Sequence, residues 1–134
     1  MNVPPWHISK FRKASSTLVT GRLSLQSLSR IEFPKTLERI GKEAFYFCGM
    51  EELHLPESLE VLEESAFFKC TKLTEVCLPE SVRYIGKWVF HGCNRLRVLE
   101  IRHDPEYIGP WIINKAAKIR CYQGQRWMHT VRNL

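Results

Sequence analysis

The chain has 134 residues, of which 44% are hydrophobic and 25% are charged, and its formal net charge is +6. This composition is typical of a soluble globular protein, and the length suits one domain rather than two. No run approaches the roughly 18 apolar residues that a membrane-spanning helix needs, so the sequence predicts no membrane span.

The charges are unevenly distributed along the chain. Residues 1–30 contain five basic residues and no acidic one, and residues 31–80 contain eleven glutamates against five basic residues. Residues 81–134 contain ten basic residues against three acidic ones. A molecule that is electrically polar along its length favours oriented docking onto a charged partner. The alternative is that these charges only keep the surface solvated.

The N-terminal residues give the first expectations about location and structure. Residues 1–7 lack the charged and apolar regions of a secretory signal, and five cysteines, an odd number, favour reduced thiols over a disulfide framework. We therefore expect a cytoplasmic protein, with the cell surface as the alternative if the chain is a fragment. We expect residues 1–30 to form a basic N-terminal arm or cap, in which residues 15–26 make a hairpin or a capping strand.

One pattern occurs three times between residues 31 and 102 and begins a fourth time. The step from Pro34 to Pro56 is 22 residues, and the step from Pro56 to Pro79 is 23. The same register relates three phenylalanines and three cysteines, namely Phe45, Phe67 and Phe90, and Cys48, Cys70 and Cys93. A fixed period in the twenties predicts a solenoid built from stacked repeats.

The apolar spacing inside each repeat changes from that of a strand to that of a helix. Triplets that alternate apolar, polar and apolar residues predict one short strand per repeat, at residues 31–33, 53–55, 76–78 and 99–101. Stacked at the repeat spacing, these strands form a parallel sheet. We expect Leu37-x-x-Ile40 and its equivalents to carry the chain across the solenoid. Ala44, Phe45 and Cys48, with their equivalents, then predict one helical turn that faces the core.

This pattern resembles the BspA-type leucine-rich repeat, which is named after a bacterial surface antigen. The best copy is Leu73 through Cys93, whereas Glu63 replaces a glycine of the pattern and Met50 replaces its leading leucine. The resemblance implies an α/β repeat fold, a short right-handed solenoid with a parallel strand ladder and short helical turns, capped at both ends. It also implies recognition of proteins or cell surfaces. We assign residues 31–116 to three good repeats and a degenerate fourth.

Residues 117–134 are expected to close the second end of the solenoid. Residues 118–122 predict a last strand on the same ladder. After Gly124, the residues Trp127, Val131 and Leu134 recur at helical spacing. We therefore expect a C-terminal cap made of a strand and a short helix.

The cysteines of the three repeats share one position and therefore form a column. Such a column could hold a metal or form disulfides, but no histidine or C-x-x-C partner accompanies Cys48, Cys70 or Cys93. The favoured interpretation is that the three thiols fill a narrow inward space, since cysteine is among the most buried residue types. We expect no metal and no cofactor.

The outward residues of the predicted strands form a candidate concave binding face. Its members are Glu32, His54, Cys77, Glu100 and Arg97. A cysteine beside a histidine could act as a nucleophile with its base. Because the sequence supplies neither an orienting third group nor an oxyanion hole, we expect no catalytic residues and no enzymatic activity.

A second row of equivalent positions becomes aromatic in the later repeats. One position holds Arg39, Val61, Tyr84 and Tyr107, and another holds Glu43, Ser65, Trp88 and Trp111. Since polar residues occur there in the early repeats, we expect all four aromatic side chains to be exposed, beside Arg83 and Lys87. Aromatic residues and arginine are the usual anchors of protein interfaces. The alternative is that the C-terminal helix covers the two tryptophans.

These features predict a non-enzymatic module that binds another protein. We favour a small intracellular inhibitor or effector that docks on a larger protein complex. The resemblance supports a different version, a surface adhesin that binds proteins of a host or a neighbouring cell. A nucleic-acid partner is a third and less favoured hypothesis. Bases stack on aromatic side chains beside basic residues, but the acidic middle of the chain would repel a phosphate backbone.

Overall fold

The computed structural model describes residues 17–18, 30–114 and 117–121 of the chain. Their strands form two parallel sheets, and successive repeats add one strand to each sheet in turn. Sheet A contains β1 (Thr17–Leu18), β2 (Arg39–Ile40), β4 (Val61–Leu62), β6 (Tyr84–Ile85) and β8 (Tyr107–Ile108) in that order. Sheet B contains β3 (Leu53–His54), β5 (Glu75–Leu78), β7 (Val98–Ile101) and β9 (Lys118–Cys121). The predicted parallel-strand solenoid is therefore confirmed.

Sheet B is the ladder that the alternating triplets predicted. Leu53 pairs with Val76, Val76 with Leu99, and Leu99 with Ile119, so the apolar residues lie in one inward column. The last of these strands, β9, lies where the sequence placed it. The first triplet differs, because residues 31–33 keep the alternation of a buried Ile31 and an exposed Glu32 but do not form a strand.

Sheet A was not predicted, because its strands lie in segments that we assigned to a simple crossing of the solenoid. Each of its strands is only two residues long, and β2, β6 and β8 each have an exposed residue followed by a buried one. The strand β1 pairs with β2 in the same parallel register, with Thr17 beside Arg39. That step of 22 residues equals the step from Arg39 to Val61. The remainder of the predicted N-terminal arm lies outside the described residues.

The predicted helical turns are wrong, since the described residues contain no helix. The amide of Phe45 donates to the Ala66 carbonyl at 2.8 Å, and the amide of Phe67 donates to the Val89 carbonyl at 3.0 Å. A helix would instead bind these amides to carbonyls four residues earlier in the same segment. The segments are turns whose alternate amides bind the next repeat, and a positive φ of 58° at Ser65 is incompatible with a helix.

The inward direction of these turns was predicted correctly, and it forms the centre of the core. Phe67 is completely buried and lies between Phe45 and Phe90, with ring centroids 5.3 and 5.5 Å apart and nearly parallel planes. The thiol of Cys70 donates to the Phe45 carbonyl at 3.2 Å, and that of Cys93 donates to the Phe67 carbonyl at the same distance. The cysteine column therefore fills inward space between the repeats.

The C-terminal expectations are only partly within the described residues. Strand β8 continues sheet A into the fourth repeat. The expected end of that repeat at Ala116 and the predicted helix containing Trp127, Val131 and Leu134 lie outside the described part of the chain. In that described part, no helix is long and apolar enough to cross a membrane.

Candidate functional site

The structure brings the four predicted aromatic residues together as two stacked pairs, which we call the aromatic row. Tyr84 and Tyr107 are direct neighbours in sheet A, and their ring centroids are 4.6 Å apart. Trp88 and Trp111 follow in the adjoining turns, with centroids 6.2 Å apart and an angle of 7° between the ring planes. Both pairs arise because the repeat places equivalent residues above one another.

The aromatic row is accessible along most of its length in the described structure. Tyr84 is 41% exposed, Tyr107 47% and Trp111 41%, whereas Trp88 is half-buried. The predicted C-terminal helix, the alternative cover for the tryptophans, lies outside the described residues. Exposure of the row thus agrees with the sequence prediction for three of the four side chains.

The tryptophans lie in an uncommon backbone conformation that belongs to the turn itself. Trp88 has a φ of 61° and Trp111 a φ of 54°, which is the left-handed region that few residues other than glycine adopt. Glu43 and Ser65, at the equivalent positions of earlier repeats, have φ values of 55° and 58°. Because unrelated side chains share this conformation, the strain gives no separate evidence for a role of the tryptophans.

Charged residues lie between and beside the two aromatic pairs. The ammonium group of Lys87 lies 4.6 Å from the centroid of the Trp88 ring and 3.8 Å from Glu64 Oε1. Such a position allows a cation–π interaction, which is worth roughly 0.5–1 kcal/mol at an exposed site. The ammonium group therefore lies at the edge of the aromatic row and stays partly exposed to solvent.

The second predicted cation, Arg83, is paired with a carboxylate that we did not predict as its partner. Its Nε donates to Glu106 Oε1 at 2.9 Å, and Nη2 donates to the same oxygen. This hydrogen bonding raises the pKa of Arg83, so the residue stays charged. The repeat register could have indicated the pair, since residues 83 and 106 are one 23-residue step apart.

An open depression of about 400 Å³ adjoins the aromatic row at Tyr84. Its remaining lining residues are Arg39, Lys42, Val61, Glu63 and Glu64. Glu63 accepts hydrogen bonds from Arg39 Nη1 at 2.6 Å and from the Lys42 amide at 2.9 Å. Glu63, which stands where the repeat pattern has a glycine, thus orders one wall of the depression.

The outward face of sheet B brings together three of the five residues predicted for the alternative site. His54, Cys77 and Glu100 lie side by side on neighbouring strands. Arg97 is exposed and immediately precedes β7, whereas Glu32 precedes the first strand of this sheet and is not part of the ladder. Arg120 occupies the next position beside Glu100 on strand β9.

On this face, the histidine and the cysteine are hydrogen bonded to two different carboxylates. Nε2 of His54 lies 3.3 Å from Glu52 Oε2, while the thiol of Cys77 donates to Glu100 Oε1 at 3.6 Å. Partial burial and the negative charge of Glu100 raise the pKa of Cys77. A raised pKa keeps the sulfur in the thiol form, which is a poor nucleophile. The described residues also contain no group of three side chains able to hold a metal ion.

Stacked parallel strands with buried phenylalanine and cysteine columns define a repeat solenoid, a class of scaffold that offers extended surfaces for binding. The family model for the BspA type leucine-rich repeat region matches residues 23–129, in six copies. The chain therefore belongs to the BspA-type leucine-rich repeat family, and it is a protein-interaction repeat module of a kind that is typically a non-enzymatic scaffold. No curated protein and no solved structure matches it.

Proposed function

We propose that the chain is a non-enzymatic binding protein and that the aromatic row is its principal contact surface. The observation that carries this proposal is the exposure of Tyr84, Tyr107 and Trp111 next to Lys87. Apolar side chains that are exposed singly are normal in a soluble protein, but a contiguous exposed apolar patch marks an interaction site. The partner in this proposal is another protein.

The physical argument for the aromatic row is the distribution of binding energy in protein interfaces. A few buried aromatic and arginine anchors supply most of that energy, and truncating one anchor commonly costs about 2 kcal/mol or more, which is roughly thirtyfold in affinity. The face of sheet B offers mainly short or charged side chains that already pair with one another, such as Cys77 with Glu100. That face is therefore the weaker candidate.

The proposed biological role is that of a small cytoplasmic inhibitor or effector that docks on a larger protein complex. The uneven charge supports this role, since residues 31–80 are acidic and residues 81–134 are basic, and such polarity orients a docking protein. The buried free thiols of Cys70 and Cys93 support a reducing compartment.

The alternative role is that of a surface adhesin that binds proteins of a host or a neighbouring cell. Membership of a family named after a bacterial surface antigen supports it. The two roles differ in where the partner is found, so affinity capture from the cell's own extract and from a candidate host separates them. Retention of one defined complex from the cell's own extract supports the inhibitor or effector role, and retention of a host surface protein supports the adhesin.

The absence of enzymatic activity is part of the same proposal. Cys77 is the residue that the sequence suggested as a possible nucleophile. The raised pKa of its thiol disfavours a catalytic role. Its neighbour His54 is hydrogen bonded to Glu52, whereas the thiol of Cys77 donates to Glu100.

The test of the proposed surface compares two sets of variants against the captured partner. Trp88→Ala and Trp111→Ala should each weaken binding tenfold or more. Neither should lower the melting temperature by more than a substitution of the half-buried Phe68 by alanine does. The control set carries His54→Ala or Glu100→Gln on the opposite candidate face, and it should bind normally. A sharp fall in melting temperature for both tryptophan variants would show that these side chains are part of the core, and normal binding by them would remove the aromatic row as the site.

A further inference from the structure

The stack of tyrosine rings in sheet A ends abruptly at Val61. Tyr84 pairs with Tyr107 on one side and with Val61 on the other. The two tyrosine ring centroids are 4.6 Å apart, which is close to the spacing of about 4.8 Å between neighbouring strands. The next ring of the same stack would therefore lie directly above Val61, whose short side chain does not reach that height.

The space above Val61 is bounded on both sides by groups that stack on flat rings. Tyr107 covers one face of the Tyr84 ring, so the other face is directed over Val61, in the depression of about 400 Å³. Arg39 pairs with Val61 from the far side and also lines this depression. Strands two positions apart are separated by about twice 4.8 Å, and this distance leaves room for one planar layer between a ring and a guanidinium group.

The arginine on the far side is held in place. Its Nη1 donates to Glu63 Oε1 at 2.6 Å, and the other oxygen of Glu63 is fixed by the amide of Lys42. A guanidinium group that is fixed in this way stacks on aromatic faces and loses little further entropy when a ring arrives. One wall of the open depression is thus ordered before a guest arrives.

We propose that this slot, above Val61 and between Tyr84 and Arg39, binds a tyrosine or tryptophan side chain of the partner protein. The assignment rests on the proposed protein-binding function and deepens it, because it names the group that the partner inserts. The inserted ring would continue the stack of Tyr84 and Tyr107. Alternation of Arg39, a foreign ring and Tyr84 would bury apolar surface on both faces of that ring.

The carboxylates of the slot select the chemistry of the guest. Glu64 lies 3.7 Å from the ammonium group of Lys42, and both line the slot with Glu63. A carboxylate can accept further hydrogen bonds beyond an existing ion pair, so it suits the hydroxyl of tyrosine or the N–H of tryptophan. The lining carries two carboxylates and two cations, and therefore no net positive charge that would attract the phosphate of a nucleotide, which favours a protein side chain over a nucleobase as the guest.

The experiment uses N-acetyl-L-tyrosinamide as the probe and N-acetyl-L-leucinamide as its aliphatic control. The full-length chain, labelled at valine methyl groups, is titrated with each compound and followed by NMR. We expect tyrosinamide to shift the Val61 methyl signals upfield at millimolar concentration through the ring current, and leucinamide to leave them unchanged. No shift at Val61 with tyrosinamide would overturn the proposal.

Substitutions at Val61 provide the decisive comparison. Both variants lack the Val61 methyl groups, so probe binding is read from the backbone amide signals of the neighbouring Leu62 and Tyr84. Val61→Tyr fills the slot from within and continues the stack, so tyrosinamide binding should fall at least tenfold while the melting temperature stays equal or rises. Val61→Thr has nearly the same shape as valine and leaves the slot open, so it should bind the probe normally. If Val61→Tyr binds the probe as well as the wild type does, the slot is not the binding site. If it lowers the melting temperature more than Val61→Thr does, a segment of the chain itself fills the slot and the proposal is wrong.

The captured partner separates this proposal from the proposed function. Loss of partner binding in both Trp111→Ala and Val61→Tyr supports the two together. Loss in Trp111→Ala alone leaves the aromatic row as the site and overturns the slot. Loss in Val61→Tyr alone supports the slot and removes the tryptophan pair from the contact surface.

Discussion

Replacing Phe67, the middle ring of the phenylalanine stack, by alanine tests the stacked core directly. Phe67 is completely buried, and the centroid of its ring lies 5.3 Å from that of Phe45 and 5.5 Å from that of Phe90. A Phe→Ala substitution in a core costs about 3–5 kcal/mol, because it removes buried apolar surface and leaves a cavity. We expect the upper half of this range, since two aromatic contacts, each worth roughly 0.5–1.5 kcal/mol beyond buried area, are lost together.

This loss is large compared with the total stability of a small domain, which is about 5–15 kcal/mol. For a chain of this size it corresponds to a fall in melting temperature of roughly 12–20 °C. The measurement is urea unfolding followed by circular dichroism, with thermal unfolding as a second reading. Because repeat proteins are held together by contacts between neighbours, the cavity should also broaden the transition as the outer repeats unfold separately.

The adjacent residue provides a matched control. Phe68 has the same side chain but is half-buried. The centroid of its ring lies 5.3 Å from that of Tyr46 and 5.8 Å from that of His91. Phe68→Ala should cost only about 1–2 kcal/mol, since much of the ring already contacts water. If Phe68→Ala destabilises the chain as much as Phe67→Ala does, the assignment of the inward and outward sides of these turns is wrong.

Three further predictions follow from other features. Gly86→Ala should lower the free energy of unfolding by about 2 kcal/mol in urea, because an added Cβ would lie 2.5 Å from the Glu64 amide nitrogen; an unchanged midpoint would contradict this close approach. Burial and the charge of Glu100 raise the pKa of Cys77, so its alkylation by iodoacetamide should be slower than that of glutathione at neutral pH. The alkylation rate should rise as the pH is raised and should rise in Glu100→Gln; a rate above that of glutathione would indicate an activated thiolate. Truncation after Cys48 should leave a peptide without a cooperative thermal transition, since fewer than about three repeats cannot bury a continuous core.

The sequence was sufficient for the features that a repeat displays in every copy. Pro34, Pro56 and Pro79 fixed the step, and the alternating triplets located sheet B. The inward side of the turns followed from the phenylalanine and cysteine positions. These signals are strong because residues in contact across neighbouring repeats occupy the same position of the pattern.

Sheet A and the turns could not be derived in the same way. A strand of two residues, such as Tyr84–Ile85, is too short to display the period of two that identifies a strand. The spacing of Ala44, Phe45 and Cys48 fits a helical turn equally well, but the Phe45 amide binds a carbonyl in the next repeat. That choice depends on a partner 21 residues away, and local periodicity does not report it.

The candidate site, like the fold, could be predicted from the sequence only in part. The repeat register placed Tyr84 beside Tyr107 and Trp88 beside Trp111, as the structure confirms. The slot above Val61 was missed, because a short residue in a row of long ones acquires meaning only when the rings are known to stack. The sequence can show which side chains are neighbours, but the gap between them depends on ring orientation.

Hydroxyl-radical footprinting of the chain, alone and in complex with its captured partner, tests the central claim most directly. Tyrosine, tryptophan, histidine and cysteine side chains all react with the radical, so one experiment reports on both candidate surfaces. The account predicts that the partner protects Tyr84, Tyr107 and Trp111 and leaves His54 and Cys77 as reactive as in the isolated chain. Protection of His54 and Cys77 with unchanged oxidation of the aromatic row would contradict it and would assign binding to the face of sheet B.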